Sequence, residues 1–267
     1  MNSQQPIGIF DSGVGGLSVL RHLQAQLPHE QFIYLADQAH VPYGSRSAEE
    51  VIQFSQGITQ FFLHLNAKAI VVACNTASAA ALSLLRQQFT LPFVGMEPAV
   101  KPASSQTKSG KVGILATGGT FASDRYARLT AVYAQGITVW EDPCLGLVPE
   151  IEAGQLNSPT VHEILQSALA PMLAAGVDTI VLGCTHYPFV LPIIEDLVGT
   201  AVPIIDPAPA VARQTGVVLQ QHNLLASYSE HFVLLSAALL NRLQRLNAVL
   251  PVADSAEPLL TQLNHLL

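Results

Sequence analysis

Ala69-Ile-Val-Val-Ala-Cys74-Asn75-Thr76 and Thr179-Ile-Val-Leu-Gly-Cys184-Thr185-His186 share one plan: a β-branched apolar run ends at a cysteine, and polar side chains follow at once. A short run of this kind, bounded by small and polar residues, reads as a buried strand. The two cysteines stand 110 positions apart, one in each half of the 267-residue chain. A second echo lies upstream of each. Pro6-Ile-Gly-Ile-Phe-Asp11-Ser12-Gly13 resembles Lys111-Val-Gly-Ile-Leu-Ala116-Thr117-Gly118, displaced by 105 positions. Both read as the first strand of a unit that runs into a glycine-rich turn and a helix. The period is too long for a solenoid, so two similar α/β domains are expected.

Working outward, further strands are expected over 7–10, 31–35, 93–95, 111–115, 138–140 and 203–205, with helical periodicity over 16–27, 48–65, 77–88, 121–133, 159–175 and 208–220. Strand alternating with helix argues for α/β units and parallel sheets. The expected architecture is two pseudo-symmetric parallel-sheet α/β domains facing each other across a cleft. Residues 1–97 with 208–267 would form one and residues 98–207 the other. The Ser/Thr/Lys/Gly stretch 101–110 is the best linker candidate. A short strand near 232–235 and a following helix are expected in the tail, where the apolar stretch 232–250 reads equally as core or interface. Ligands of parallel α/β sheets gather beyond the carboxyl ends of the strands. Asp11, Ser12, Cys74, Asn75, Thr117, Cys184, Thr185 and His186 all lie just past such ends.

Composition narrows the function. The formal charge is −7, with 12 Lys+Arg and no basic cluster, which argues against a nucleic-acid partner. No uninterrupted apolar run approaches the ~18–20 residues of a membrane span. The opening Met-Asn-Ser-Gln-Gln-Pro has neither a basic nor an apolar signal region. Three cysteines in a chain this long are no disulfide framework, so free thiols in a reducing cytoplasm are expected.

A cysteine after a buried strand is by itself a small core hydrophobe. The matched placement of Cys74 and Cys184 favours reactive thiols, each expected to precede a helix whose N-terminal positive end favours thiolate. Cys144, after Asp142-Pro143, lacks polar company and reads as structural. Asp11-Ser12-Gly13-Val14-Gly15-Gly16 is no dinucleotide fingerprint, because position 18 is Ser18, and no P-loop. It is either a plain strand-to-helix turn or a cradle in which backbone N–H groups and Ser12 hold a carboxylate, with Asp11 as ionisable helper. Asp37-Gln-Ala-His-Val-Pro42-Tyr43-Gly44 is a turn or a loop over a cleft. Thr117-Gly118-Gly119-Thr120 is a helix cap or a second ligand contact. Glu150 and Glu152 are indistinguishable as exposed or assisting acids. His186 is a satisfied polar residue or a partner of Cys184; Cys184-x-His186 lacks zinc-site spacing.

Taken in order, Asp11 to Gly16, Asp37 to Pro42-Tyr43-Gly44, Ala73-Cys74-Asn75-Thr76 and Gly183-Cys184-Thr185-His186-Tyr187-Pro188 resemble the glutamate members of the cofactor-independent aspartate/glutamate racemase family. The resemblance runs from Ile7 to about Gly216. It implies interconversion of L- and D-glutamate, supplying D-glutamate for peptidoglycan, without metal or pyridoxal phosphate. It implies that one of Cys74 and Cys184 takes the α-proton as thiolate while the other returns one to the opposite face. Asp11 would assist Cys74; Glu152 and His186 would assist Cys184, Glu152 aligning better than Glu150. Asp11, Ser12, Pro42, Tyr43, Gly44, Asn75, Thr76, Thr117, Thr120, Thr185 and His186 would hold substrate. A homodimer is the expected assembly. The family often reads Val-Ile-Glu-Pro where this chain has Val94-Gly-Met96-Glu97-Pro98. With no extension before Ile7, activation by a cell-wall precursor is not expected. Three other readings stay open: an aspartate-specific member, a non-catalytic carboxylate- or phosphate-binding protein, and a redox protein with its cysteines at bonding distance.

Overall fold

The computed structural model describes residues 2–227 and strand Phe232–Leu235. Two sheets, parallel throughout, organise the chain. The first is built on β1 (Ile7–Asp11), β2 (Phe32–Ala36), β3 (Ala69–Val72) and β4 (Phe93–Gly95). The second uses β5 (Lys111–Leu115), β6 (Thr138–Asp142), β7 (Thr179–Leu182) and the short β8 (Ile204–Ile205). β9 (Phe232–Leu235) returns to the first sheet beside β2, giving the orders β4-β3-β1-β2-β9 and β6-β5-β7-β8. Ile7 lies opposite both Phe32 and Ala69, and Val112 opposite Val139 and Thr179, so β1 and β5 hold the same central place. Every residue of β1, β2, β3 and β7 is buried, as helices on both faces require.

The helices are α1 (Leu17–Gln26), α2 (Ala48–His64), α3 (Asn75–Gln88), α4 (Val100–Gln106), α5 (Gly118–Phe121), α6 (Asp124–Tyr133), α7 (Leu147–Glu152), α8 (Pro159–Ala174), α9 (Leu191–Val198) and α10 (Ala208–Gln221). Local chemistry sets many of their starts. Ser47 and Glu50 form a reciprocal capping box on α2, and Ser158 caps α8 ahead of Pro159. The chain leaves the first sheet through Met96-Glu97-Pro98 and returns through Asp206-Pro207 into α10, which packs on α1.

Several local expectations are corrected. The stretch 101–110 is no open linker: α4 occupies most of it, burying Val100 and Ala103 and tolerating Pro102 in its first turn. The single helix expected over 121–133 is two, because Ser123 stops α5 and caps α6 by accepting from the Tyr126 N–H. Helix α7 is too short for periodicity to register, and the helix expected after Cys184, α9, begins only at Leu191. The helix expected after residue 235, and the apolar stretch beyond it, lie outside the described residues.

One buried ion pair ties distant segments together. Lys68, fully buried at the start of β3, donates to the Glu30 carboxylate and to the Ser3 carbonyl. Glu30 also accepts the Ala226 N–H at 2.8 Å, fixing the segment that leads into β9.

Candidate active site

Cys74 stands two positions past the end of β3 and is the N-cap of α3, its Sγ accepting the Ala77 N–H at 3.4 Å. The thiol is buried, and burial pushes its pKa well up; Asp11 adds to the rise, and the N–H groups of Ala77 and Ser12 oppose it. Asn75 and Thr76 open α3, two residues earlier than periodicity suggested. Asn75 is buried with neither side-chain polar atom bonded. Thr76 Oγ1 lies 2.8 Å from Thr117 Oγ1, joining the two domains, and Thr117 caps α5 through the Thr120 N–H.

The second thiol has different company. Past β7 the backbone enters a 3-10 turn, Tyr187–Val190, and α9 begins only at Leu191, so no helix N-terminus serves Cys184 as one serves Cys74. A histidine stands in its place. His186 Nδ1 lies 3.8 Å from Cys184 Sγ, and its Nε2 lies 2.7 Å from Glu152 Oε1. Burial opposes charge on this ring, but hydrogen bonds to Cys184 and Glu152 and the field of Asp11 prevail and hold it well above the ordinary imidazole value.

The glycine turn after β1 meets this second group. Glu152 Oε1 accepts the Val14 N–H at 2.7 Å, and Asp11 accepts the Gly13 N–H at 2.8 Å. The turn does cradle carboxylates, but two of its N–H groups already serve side chains of this chain. Its glycines have a packing reason: a Cβ at Gly13 would lie 1.8 Å from Glu152 Oε1, and one at Gly15 would lie 2.4 Å from His186 Nδ1. Asp11, wholly buried, is raised by desolvation, against the pull of His186 and the Gly13 N–H. Thr185 Oγ1 donates to Asp11 Oδ2 at 3.1 Å, again from one domain to the other.

The loop from Asp37 closes the remaining side. Tyr43 donates its hydroxyl to Asp37 at 2.5 Å, and Gly44 packs against Thr117 so closely that a Cβ would come within 2.9 Å of it. Between the domains remains a cavity of about 20 Å³. Ser12, Pro42, Tyr43 and Gly44 line one part of it, Cys74, Asn75 and Thr76 a second, and Thr117, Cys184, Thr185 and His186 the rest. Asp11 and Glu152 stand just behind that lining, while Thr120 is buried beneath Thr117, bonded to it at 3.1 Å. Glu150 points elsewhere and accepts the Ser158 hydroxyl at 2.9 Å. Val148 also lines the cavity. It went unread because α7 leaves no periodic signal. Tyr34 was missed too: its hydroxyl donates to the Gly13 carbonyl at 2.7 Å from beneath the turn. Among the described residues no group of three or more His, Cys, Asp or Glu is arranged to hold a metal ion. No described helix is long and apolar enough to cross a membrane.

Two thiols from matching strand ends, with Asp11 and the His186–Glu152 pair nearby, line one cavity. A family model described as Asp/Glu/hydantoin racemase matches residues 7–215. A glutamate racemase of Ectopseudomonas mendocina is 50% identical over 251 residues, covering 94% of this chain and 95% of the relative. A Francisella tularensis glutamate racemase solved with D-glutamate superposes with a TM-score of 0.79 at 27% identity, over 94% of this chain and 98% of that one. An Escherichia coli glutamate racemase solved with L-glutamate and the activator UDP-MurNAc-ala also gives 0.79, at 32% identity, over 91% of this chain and 95% of that one. The chain belongs to the Asp/Glu racemase family and is an amino-acid racemase.

Proposed function

We propose that this chain interconverts L- and D-glutamate by two-base proton transfer, with Cys74 and Cys184 on opposite faces of the substrate Cα. One, as thiolate, removes the α-proton; the other, as thiol, delivers one to the far face. The two exchange protonation states in each turnover and are reset by proton exchange through their neighbours. Asp11, its pKa raised by burial, is the acid–base partner on the Cys74 side, and His186 held by Glu152 is the partner on the Cys184 side. The unsatisfied amide of Asn75, the hydroxyls of Ser12, Thr76, Thr117 and Thr185, and the Tyr43-Gly44 backbone would hold the substrate's carboxylates and ammonium. Thr120 supports Thr117 from below. The chain would divide into residues 1–97 with 208–267 and residues 98–207, one thiol on each.

The observation that carries this reading is the meeting of both cysteines in one closed, hydroxyl-lined cavity. An α-proton is far less acidic than a thiol, so abstraction is uphill. Fixed donors around the developing carbanion, in a site that excludes water, offset part of that cost. No step requires a metal or an organic cofactor. In a cytoplasmic setting the product would serve peptidoglycan synthesis, and the assembly would be a homodimer, which light scattering measures.

The test is α-deuterium incorporation from D₂O into L- and D-glutamate. The wild-type chain should label and racemise both, and Cys74→Ala and Cys184→Ala should each lose racemisation. Single mutants that racemise at the wild-type rate would overturn the two-thiol mechanism. The same assay with L-aspartate separates a glutamate enzyme from an aspartate enzyme.

A further inference from the structure

Ser18 lies in the first turn of α1, on the domain that carries Cys74, and is only 4% exposed. Its Oγ donates to the carbonyl of Thr185 at 2.9 Å. That carbonyl belongs to the residue immediately after Cys184, on the other domain. Backbone geometry explains why a side chain from elsewhere must serve it. The chain turns here into the 3-10 segment Tyr187–Val190, in which a carbonyl bonds the N–H three residues on, as His186 does with Phe189 at 3.0 Å. Three residues beyond Thr185 stands Pro188, which has no N–H to donate. A buried carbonyl without a donor is costly, and Ser18 supplies one.

Thr185 is thus held twice by the opposite domain. Its hydroxyl donates to Asp11 and its carbonyl accepts from Ser18. The Ser18 bond uses the Thr185 carbonyl and leaves its hydroxyl to Asp11. Both fix where the backbone carrying Cys184 sits relative to the backbone carrying Cys74.

We propose that Ser18 is a positioning residue for the second proton transfer, setting the Cys184 loop in register against the domain that carries Cys74. The proposal rests on the two-thiol reading above. A thiol displaced by a fraction of an ångström still faces the same bound substrate, so the effect falls on its own transfer step and not on binding.

The experiment compares wild type, Ser18→Ala and Ser18→Thr for kcat, KM and primary isotope effects with α-deuterated L- and D-glutamate. Folding is monitored by circular dichroism and thermal unfolding. Ser18→Ala is expected to lower kcat about tenfold, the scale of one lost buried hydrogen bond, with KM within about twofold. The isotope effects should diverge. The enantiomer that gives its α-proton to Cys184 shows a larger effect, because that transfer has become slower, and the other enantiomer shows a smaller one. Ser18→Thr keeps the hydroxyl and should recover rate and symmetry. A loss of stability alone lowers both directions equally and leaves both isotope effects unchanged; that result, or an unchanged kcat in Ser18→Ala, overturns the proposal while leaving the racemase reading intact. A wild-type chain that exchanges no α-proton of glutamate overturns the reading itself and the proposal with it.

Discussion

Glu152 does two things with one oxygen. It accepts from the Val14 N–H and bonds the His186 ring, each at 2.7 Å, so a single carboxylate ties the first domain's glycine turn to the imidazole beside Cys184. Removing its charge should be felt at the imidazole. In Glu152→Gln the ring keeps its burial, which disfavours charge, and loses the anion that offsets it. The His186 titration should therefore move to lower pH than in wild type, as read by ¹⁵N-histidine NMR; an unmoved or rising value would show that Glu152 does not hold the imidazolium. The linkage sign follows from a raised folded-state pKa. His186 contributes stability that is fully present below the unfolded value of about 6.5 and is lost as pH rises through the higher folded value. Glu152→Gln should shrink that contribution, flattening the fall in stability above neutral pH.

Among the elements, the Lys68–Glu30 pair shows what holds the far edge of the first sheet. Both side chains are buried, and the Glu30 carboxylate also receives the Ala226 N–H just ahead of β9. A buried pair adds little over apolar packing, but removing one partner strands the other charge. Lys68→Ala is expected to cost about 3–5 kcal/mol in urea unfolding. The double variant Lys68→Met with Glu30→Leu should recover most of that loss, and equal losses in both would argue that packing alone matters here. The strands of the first sheet and β5 to β8 were legible because their apolar runs are dense and bounded by turn residues. Helices α4 and α7 were not. They are short, α4 carries Pro102, and its Ser/Lys-rich sequence has the composition of a loop; burial of Val100 and Ala103 decides its state.

At the scale of the whole molecule, the space between the two thiols is narrow. A cavity of about 20 Å³ holds about one water. A five-carbon dicarboxylate needs more room, so the cleft is expected to open for binding and close for turnover. Cys74 and Cys184, 5% and 6% exposed, should react with a disulfide reagent only as fast as that opening allows. Saturating D-glutamate should slow the reaction by about tenfold or more, as expected at ligand well above its dissociation constant. Labelling of both thiols as fast as a free cysteine, with or without glutamate, would contradict an obligatory opening.

The sequence by itself determined the duplicated α/β scaffold, the placement of both cysteines past matching strand ends, and most of the polar residues that gather there. These are properties of local patterning: strand runs, glycine turns and side chains a few positions away. Only the tertiary structure decided which residues from one domain serve the other. Nothing in the chain around Glu152 marks it off from Glu150, yet one reaches Val14 and His186 while the other accepts the hydroxyl of Ser158, the cap of α8. Ser18, Tyr34 and Val148 carry no motif of their own; packing alone gives them partners. The glycines at 13 and 15 read as turn residues, and their deeper reason is the volume taken by Glu152 and His186 from more than a hundred residues away. Contacts between surfaces so distant in the chain depend on how two folded bodies meet, and local sequence holds no record of that meeting.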